Sequence, residues 1–177
     1  MNITPLGVDL TGRRVVAVGG GPVAARRVSA FVDDGADVTV VAPHLCERLR
    51  DLVDAGRVTW AERRYAGPAD LAGAWLVHTA TGDAVIDETV AAHAEAQHTF
   101  CINATDASTG TAATPARAVV NTATGSVQVG VHGGGDPQRA AAVRDAVVEV
   151  VSTALNSGTV DLRPRRARRR GGLAEAS

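Results

Sequence analysis

The stretch "VVAVGGGPVAARR", residues 15–27, constrains the fold more than any other part of this chain. A β-branched run, Val15 to Val18, breaks into three glycines and a proline. Apolar residues then resume at helical spacing, at Val23, Ala24, Val28, Phe31 and Val32. β-Branched side chains suit the pleated, buried setting of a strand. Glycine permits a turn that other residues resist, and proline fits the first turn of a helix. Strand, glycine turn and helix therefore follow in that order, with Gly35 as the stop for the helix.

The alternation continues. "ADVTVVAP" predicts a second strand ended by Pro43, "LCERLRDLVDAG" a short helix ended by Gly56, and "RVTWAERRY" an alternating third strand. "GAWLVHTA" reads as a buried fourth strand and "HTFCINAT" as a fifth. Between them Asp83 is placed to cap a helix from Ala84 to about Gln97. Strands that alternate with helices pack as a parallel sheet covered on both faces. Residues 1–110 are thus expected to form a Rossmann-type, doubly wound α/β domain.

After that segment the composition changes. "ARAVVNTATGSVQVGVHGG" predicts two strands joined at Thr124-Gly125, and "DPQRAAAVRDAVVEVVSTAL" a helix with Asp136 at the cap and Pro137 at its first position. Such a ββα appendage, residues 111–157, buries too little apolar surface to stand alone. Its helix face, Ala141, Val143, Val147, Val148, Val151 and Leu155, is expected to pack against something larger, a second copy of the chain being a reasonable candidate. Residues 158–177 hold six of the eighteen basic residues, all arginine, between Arg163 and Arg170, the composition of a disordered tail or linker.

Composition closes off other classes. No apolar run approaches the roughly 20 residues of a membrane span. Two cysteines, Cys46 and Cys101, are too few for a disulfide scaffold, and no charged-then-apolar leader opens the sequence, so a cytoplasmic protein is expected. Aromatic residues at 3% leave few stacking surfaces for single-stranded nucleic acid, and the arginine run reads as a solvated linker rather than a nucleic-acid module. The spacing of His44, His78, His93 and His98 matches no zinc-ligand pattern with the cysteines, so no structural metal is expected. Neither a P-loop nor a G-x-S-x-G turn occurs.

Gly19, Gly21 and Ala24 fit the G-x-G-x-x-A dinucleotide fingerprint. Its first glycine makes the turn, its second lets the pyrophosphate approach the backbone, and its third small residue lets helix and strand pack closely. The plain alternative is a structural turn. An acid for the ribose is expected about 20 residues further on, yet that place reads Val41-Ala42-Pro43-His44, so backbone around Pro43 and His44 would hold the sugar. Asp106 follows the fifth strand at its carboxyl end, where ligands sit in open α/β sheets, and reads either as a functional carboxylate or as a turn cap. "VGVHGGGDP" reads either as a flexible connection or as a backbone nest for an anion, and His132 as a solvent-facing or a catalytic residue.

Taken in order, "VVAVGGGPVAARRVSAFVDDGADVTVVAP", "WLVHTATGD", "FCINATDAS" and "VGVHGGGDP" followed by an Ala- and Val-rich helix resemble the precorrin-2 dehydrogenase family, the N-terminal part of siroheme synthases. The resemblance spans residues 3–155. It implies NAD-dependent oxidation of precorrin-2 to sirohydrochlorin, homodimers formed through the region after the Rossmann domain and, in bifunctional members, ferrochelation with Fe2+ as substrate. It assigns Asp106 a catalytic role and adds Pro22, Val23, Pro43 and His44 to Gly19, Gly21, Ala24 and Thr81 as NAD contacts. For a substrate rich in carboxylates the candidate contacts are Asn103, His132, Gly134, Arg117 and Arg139. Larger members continue into a uroporphyrinogen methyltransferase domain, so the arginine tail looks like a linker toward such a partner. Two rivals share the scaffold: an NAD-dependent dehydrogenase of another substrate, and a non-catalytic regulator that binds NAD or a tetrapyrrole.

Overall fold

β1 (Arg14–Val18), β2 (Asp37–Ala42), β3 (Val58–Glu62), β4 (Leu76–Thr79) and β5 (Phe100–Asn103) form one parallel sheet in the order β3-β2-β1-β4-β5. This is a computed structural model, and it describes residues 4–122, 125–157 and 159. The chain runs outward from β1 to β3 and then returns to place β4 on the other side of β1. Register pairs from Val15↔Leu76 to Val18↔Thr79 bring the ends of β1 and β4 level at this switch point.

The sheet is covered on both faces, which is why its strands read as nearly continuous apolar runs. Val15, Ala17, Val38, Val40 and Ile102 pack with α1 (Pro22–Asp33) and α2 (Glu47–Asp54), while Val16, Val18, Val41, Val77 and Cys101 pack with α3 (Ala84–Ala96). Helix α1 has a glycine N-cap with no side-chain bond and no acid in its first turn, a deficit on the order of a few tenths of a kcal/mol. Burial of Val28, Phe31 and Val32 against the sheet, at about 1.5–3 kcal/mol for each large side chain, outweighs it. Packing alone fixes this helix, so its start is left open.

One detail differs from the sequence reading, and another was not foreseen. The third strand stops at Glu62, because Arg63 turns away to form a paired contact with Asp70, at 2.8 and 2.6 Å. Asp70 lies in a 3-10 turn, Pro68–Leu71, that buries Leu71 in the α3-side core. The far edge of β5 is also closed. The Cys101 N–H donates to Thr111 Oγ1 and its carbonyl accepts from the Ala112 N–H, both at 2.9 Å. Gly110 comes so close that a Cβ there would lie 2.8 Å from the Cys101 oxygen.

The chain divides after Thr114 into two compact units. In the second, β6 (Ala116–Thr122) and β7 (Gly125–Val131) form an antiparallel hairpin, followed by the 20-residue helix α4 (Pro137–Asn156). Val120, Val129 and Ala140 are its buried apolar residues. The apolar face expected of α4 splits. Ala141, Val148, Val151 and Leu155 are partly buried, whereas Val143 and Val147 are exposed together with Val150. Valines at 143, 147 and 150 recur at helical spacing, so they form a second stripe. Among the described residues no helix is long and apolar enough to cross a membrane. The arginine run lies outside the described residues.

Candidate functional site

A cleft of about 430 Å³ opens at the carboxyl ends of β1 and β2, bounded by the glycine turn, the segment Ala42 to Cys46, Arg64 and Thr81. That size suits a small-molecule site. Gly19 has φ +120°, and a Cβ on it would lie 2.3 Å from the Ala80 carbonyl oxygen. A Cβ on Gly20 would lie 1.9 Å from the His44 oxygen, and the Gly20 carbonyl accepts from the Cys46 N–H at 2.8 Å. The turn is thus wedged between the loops that follow β4 and β2. Gly21 differs: it is the N-cap of α1, and nothing lies within 4 Å of the place its Cβ would occupy.

The glycine turn gains a residue the fingerprint passes over, and Ala24 keeps the packing role of its third position. Gly20, which the fingerprint leaves variable, is the most tightly confined of the three glycines; the signal for it was the third consecutive glycine. Ala24 is fully buried between α1 and the sheet and packs rather than touching a ligand. Pro22 and Val23 are exposed on the first turn of α1 and do not line the cleft, whereas Pro43, His44 and Thr81 do.

At the end of β2 no acid awaits a ribose. The indole Nε1 of Trp60 donates to the Ala42 carbonyl at 2.9 Å and braces the backbone before Pro43 and His44. Asp83 borders the cleft, but its carboxylate caps α3 by accepting from the N–H groups of Val85 and Ile86. Tyr65 also borders it, its hydroxyl 3.0 Å from His93 Nδ1. Burial pushes the Tyr65 phenol up to about 12, with the negative charge of Asp70 adding to the rise.

Beyond β4 lies a residue the sequence reading missed. Asp87, on α3, is fully buried and accepts from Thr79 Oγ1, the N–H and hydroxyl of Thr81, and Thr105 Oγ1. Burial raises its pKa, but the bonds from Thr105, Thr79 and Thr81 together prevail and hold the carboxyl below its ordinary value. The Thr81 hydroxyl is therefore engaged with Asp87, and with the backbone of Asp83, rather than free toward the cleft.

Asn103 is likewise engaged, which corrects its reading as a substrate contact. It is buried; its Oδ1 accepts from the N–H groups of Thr105 and Asp106, and its Nδ2 donates to Thr109 Oγ1. Asn103 shapes the turn that carries Asp106. The Asp106 side chain is exposed, outside the cleft lining, and accepts from the hydroxyl and N–H of Ser108 at 2.6 and 2.8 Å. Those two bonds, the hydroxyl first, hold its pKa below the ordinary value.

His132, Gly134, Arg117 and Arg139 belong to the second unit. His132, Gly134 and Arg117 are exposed, and Gly134 has φ +66°. Arg139 lies 3.7 Å from the Asp136 carboxylate, and Arg144 pairs with Asp145 at 2.7 Å. The expected anion nest before α4 is already supplied with an anion: Asp136 accepts from the N–H groups of Gln138 and Arg139.

What the first unit offers a ligand is backbone: N–H groups at an uncapped helix start, and room where Gly21 has no side chain. That suits a pyrophosphate and defines a Rossmann-type nucleotide-binding protein. The chain belongs to the NAD(P)-binding family NAD_binding_7, which matches residues 6–116. It is similar to a siroheme synthase of Photorhabdus laumondii, 37% identical over 106 residues, or 60% of this chain and 22% of the relative. It is also similar to a precorrin-2 dehydrogenase of Priestia megaterium, 35% identical over 86 residues, or 49% of this chain and 42% of the relative. The chain thus spans about a fifth of the siroheme synthase it matches and less than half of the dehydrogenase. The solved structure of the precorrin-2 dehydrogenase SirC shares the fold, with a TM-score of 0.65 at 24% identity, covering 85% of this chain and 70% of that one.

Proposed function

We propose that this chain oxidises precorrin-2 to sirohydrochlorin, using NAD, within siroheme or cobalamin biosynthesis. The observation that carries the reading is the cleft itself: Gly19 and Gly20 wedged between two loops, and an open helix start at Gly21, in a chain similar to a precorrin-2 dehydrogenase. NAD, when bound, supplies the hydride acceptor. The chain's own part is to hold the pyrophosphate on the N–H groups at the start of α1, to seat the ribose against Pro43 and His44, and to take up a proton. Asp106 is the proposed proton acceptor. It is ionised at neutral pH, at the carboxyl end of β5.

Purified protein given precorrin-2 and NAD, followed by absorbance with and without Fe2+, tests this directly. Sirohydrochlorin should form, and its conversion in the Fe2+ arm would extend the activity to chelation. Asp106→Ala should lower kcat by about 10²- to 10⁴-fold with the Kd for NAD unchanged; unaltered turnover removes Asp106 from the reaction. Because the Asp106 carboxylate is held by its own turn, a second reading is a regulator that binds NAD or a tetrapyrrole without turnover, which NAD binding without product would favour.

The proposed assembly is a homodimer in the cytoplasm. The exposed stripe Val143, Val147 and Val150 supports a second copy as the occupant, and sedimentation of a Val147→Glu variant as a monomer would agree. A methyltransferase domain, which the family resemblance implies, is the proposed further partner.

A further inference from the structure

Asp87 lies outside the cleft and outside the chemistry proposed above, yet its two oxygens hold different segments. Oδ1 accepts from the hydroxyl of Thr79 at the end of β4 (2.5 Å) and from the N–H (3.0 Å) and hydroxyl (2.8 Å) of Thr81, in the loop that lines the cleft. Oδ2 accepts from the hydroxyl of Thr105 (2.5 Å), the residue before Asp106. Asn103 also holds that turn, but ties it only to β5, whereas the Asp87 carboxylate joins it to the loop after β4. An apolar side chain could fill the space without desolvating a charge, but it could not hold three hydroxyl-bearing residues at fixed distances.

We infer that Asp87 is a positioning residue, which sets the turn bearing Asp106 against the loop that lines the dinucleotide cleft. This rests on Asp106 serving the reaction proposed above. The work is done by hydrogen-bond geometry rather than by charge. In an Asp87→Asn variant Oδ1 keeps its three donors, and Nδ2 donates to Thr105 Oγ1, since a hydroxyl accepts as well as donates. Asp87→Leu removes every bond. Thr105→Val removes only the Oδ2 arm, from an exposed residue whose loss leaves the core intact.

The test compares the unmodified protein with these three variants by NAD affinity, by amide hydrogen exchange over residues 104–109, and by precorrin-2 turnover. Thr105→Val should speed exchange over 104–109 about tenfold, the worth of one hydrogen bond, and lower kcat by about tenfold or more, with Kd for NAD and Tm as in the unmodified protein. Asp87→Asn should stay within about threefold in all three, and Asp87→Leu should also weaken NAD binding through Thr81. Unchanged exchange and unchanged kcat in Thr105→Val would overturn the inference, as would an Asp87→Asn variant as impaired as Asp87→Leu. If the unmodified protein binds NAD but leaves precorrin-2 untouched, the functional reading fails by itself, and the exchange pattern still decides whether Asp87 holds the turn.

Discussion

Gly19-Gly20-Gly21-Pro22 leads into α1, and Gly133-Gly134-Gly135-Asp136-Pro137 leads into α4, so the two units open these helices with closely similar runs. The first run ends on a glycine N-cap with no side chain, and its three glycines line the cleft. The second ends on Asp136, whose carboxylate accepts from Gln138 N–H at 2.9 Å and Arg139 N–H at 3.0 Å. A helix start attracts an anion through its unpaired N–H groups and its dipole. One residue of difference decides whether the chain's own side chain occupies that position: Asp136 does so at α4, and Gly21 leaves it open at α1. Glycine content alone does not make a phosphate site.

The largest effect should come from closing the first turn. In Gly20→Ala the new Cβ would stand 1.9 Å from the His44 oxygen, so backbone must move, at a cost of about 3 kcal/mol or more. Loss of NAD affinity by at least about a hundredfold should appear in calorimetry. Gly133→Ala is the control, because its Cβ meets Asp136 and Ala140 at 2.4 and 2.7 Å. It should destabilise the second unit and leave NAD affinity alone; equal losses of affinity would erase the distinction.

Acid should separate the two units next. His78, fully buried against the edge of Phe31, has no hydrogen-bond partner for either ring nitrogen. Burial, with Arg27 nearby, pushes its pKa down to about 4 from 6.5. The unfolded chain therefore binds the proton more readily. The stability of the first unit is full above about pH 6.5 and falls as pH drops toward 4, by about 3 kcal/mol. Urea midpoints should follow that fall, and His78→Leu should flatten it. The one histidine of the second unit, His132, is exposed.

Exchanging the caps should produce smaller and opposite changes. Gly21→Asp puts a carboxylate where the pyrophosphate is proposed to sit, so NAD affinity should fall about ten- to a hundredfold while α1 loses no stability. Asp136→Ala should lower the Tm of the second unit by about 4–8 °C without moving the Kd for NAD. The N–H groups of Arg139 and Gln138 hold the Asp136 carboxyl below its ordinary value. Its capping contribution is accordingly intact at neutral pH and is lost only in strong acid, as pH falls through that lowered pKa. A Gly21→Asp protein that binds NAD normally would mean that the helix start does not hold the pyrophosphate.

The parallel sheet was legible because its information is local: runs of valine, glycine stops and helical spacing each lie within a few residues. The glycine turn was legible where backbone conformation dictates residue type, at Gly19, with its φ of +120° and no room for a Cβ. Asp87 was not, since an acid in "AVIDETV" looks solvent-facing until parallel pairing of β4 with β5 brings Thr79 and the turn beyond Asn103 side by side. Gly20 was hidden by a fingerprint that describes contacts with a ligand, whereas its constraint comes from a loop 24 residues on, at His44. Asn103 was misread for a similar reason. A polar residue at a strand end can face a ligand or bond to its own loop, and only the path of residues 104–109 tells which.

The segment from Gly110 to Ala112 has a further consequence for growth of the sheet. An edge strand with free N–H and C=O groups invites another chain to extend it, the usual route to strand-swapped pairs and fibrils. At Cys101 both groups are already taken, by Thr111 and Ala112. Addition of a sixth strand on that side would first require peeling away the covalent continuation of the chain itself, so that border is protected against uncontrolled polymerisation for as long as residues 110–112 stay in place.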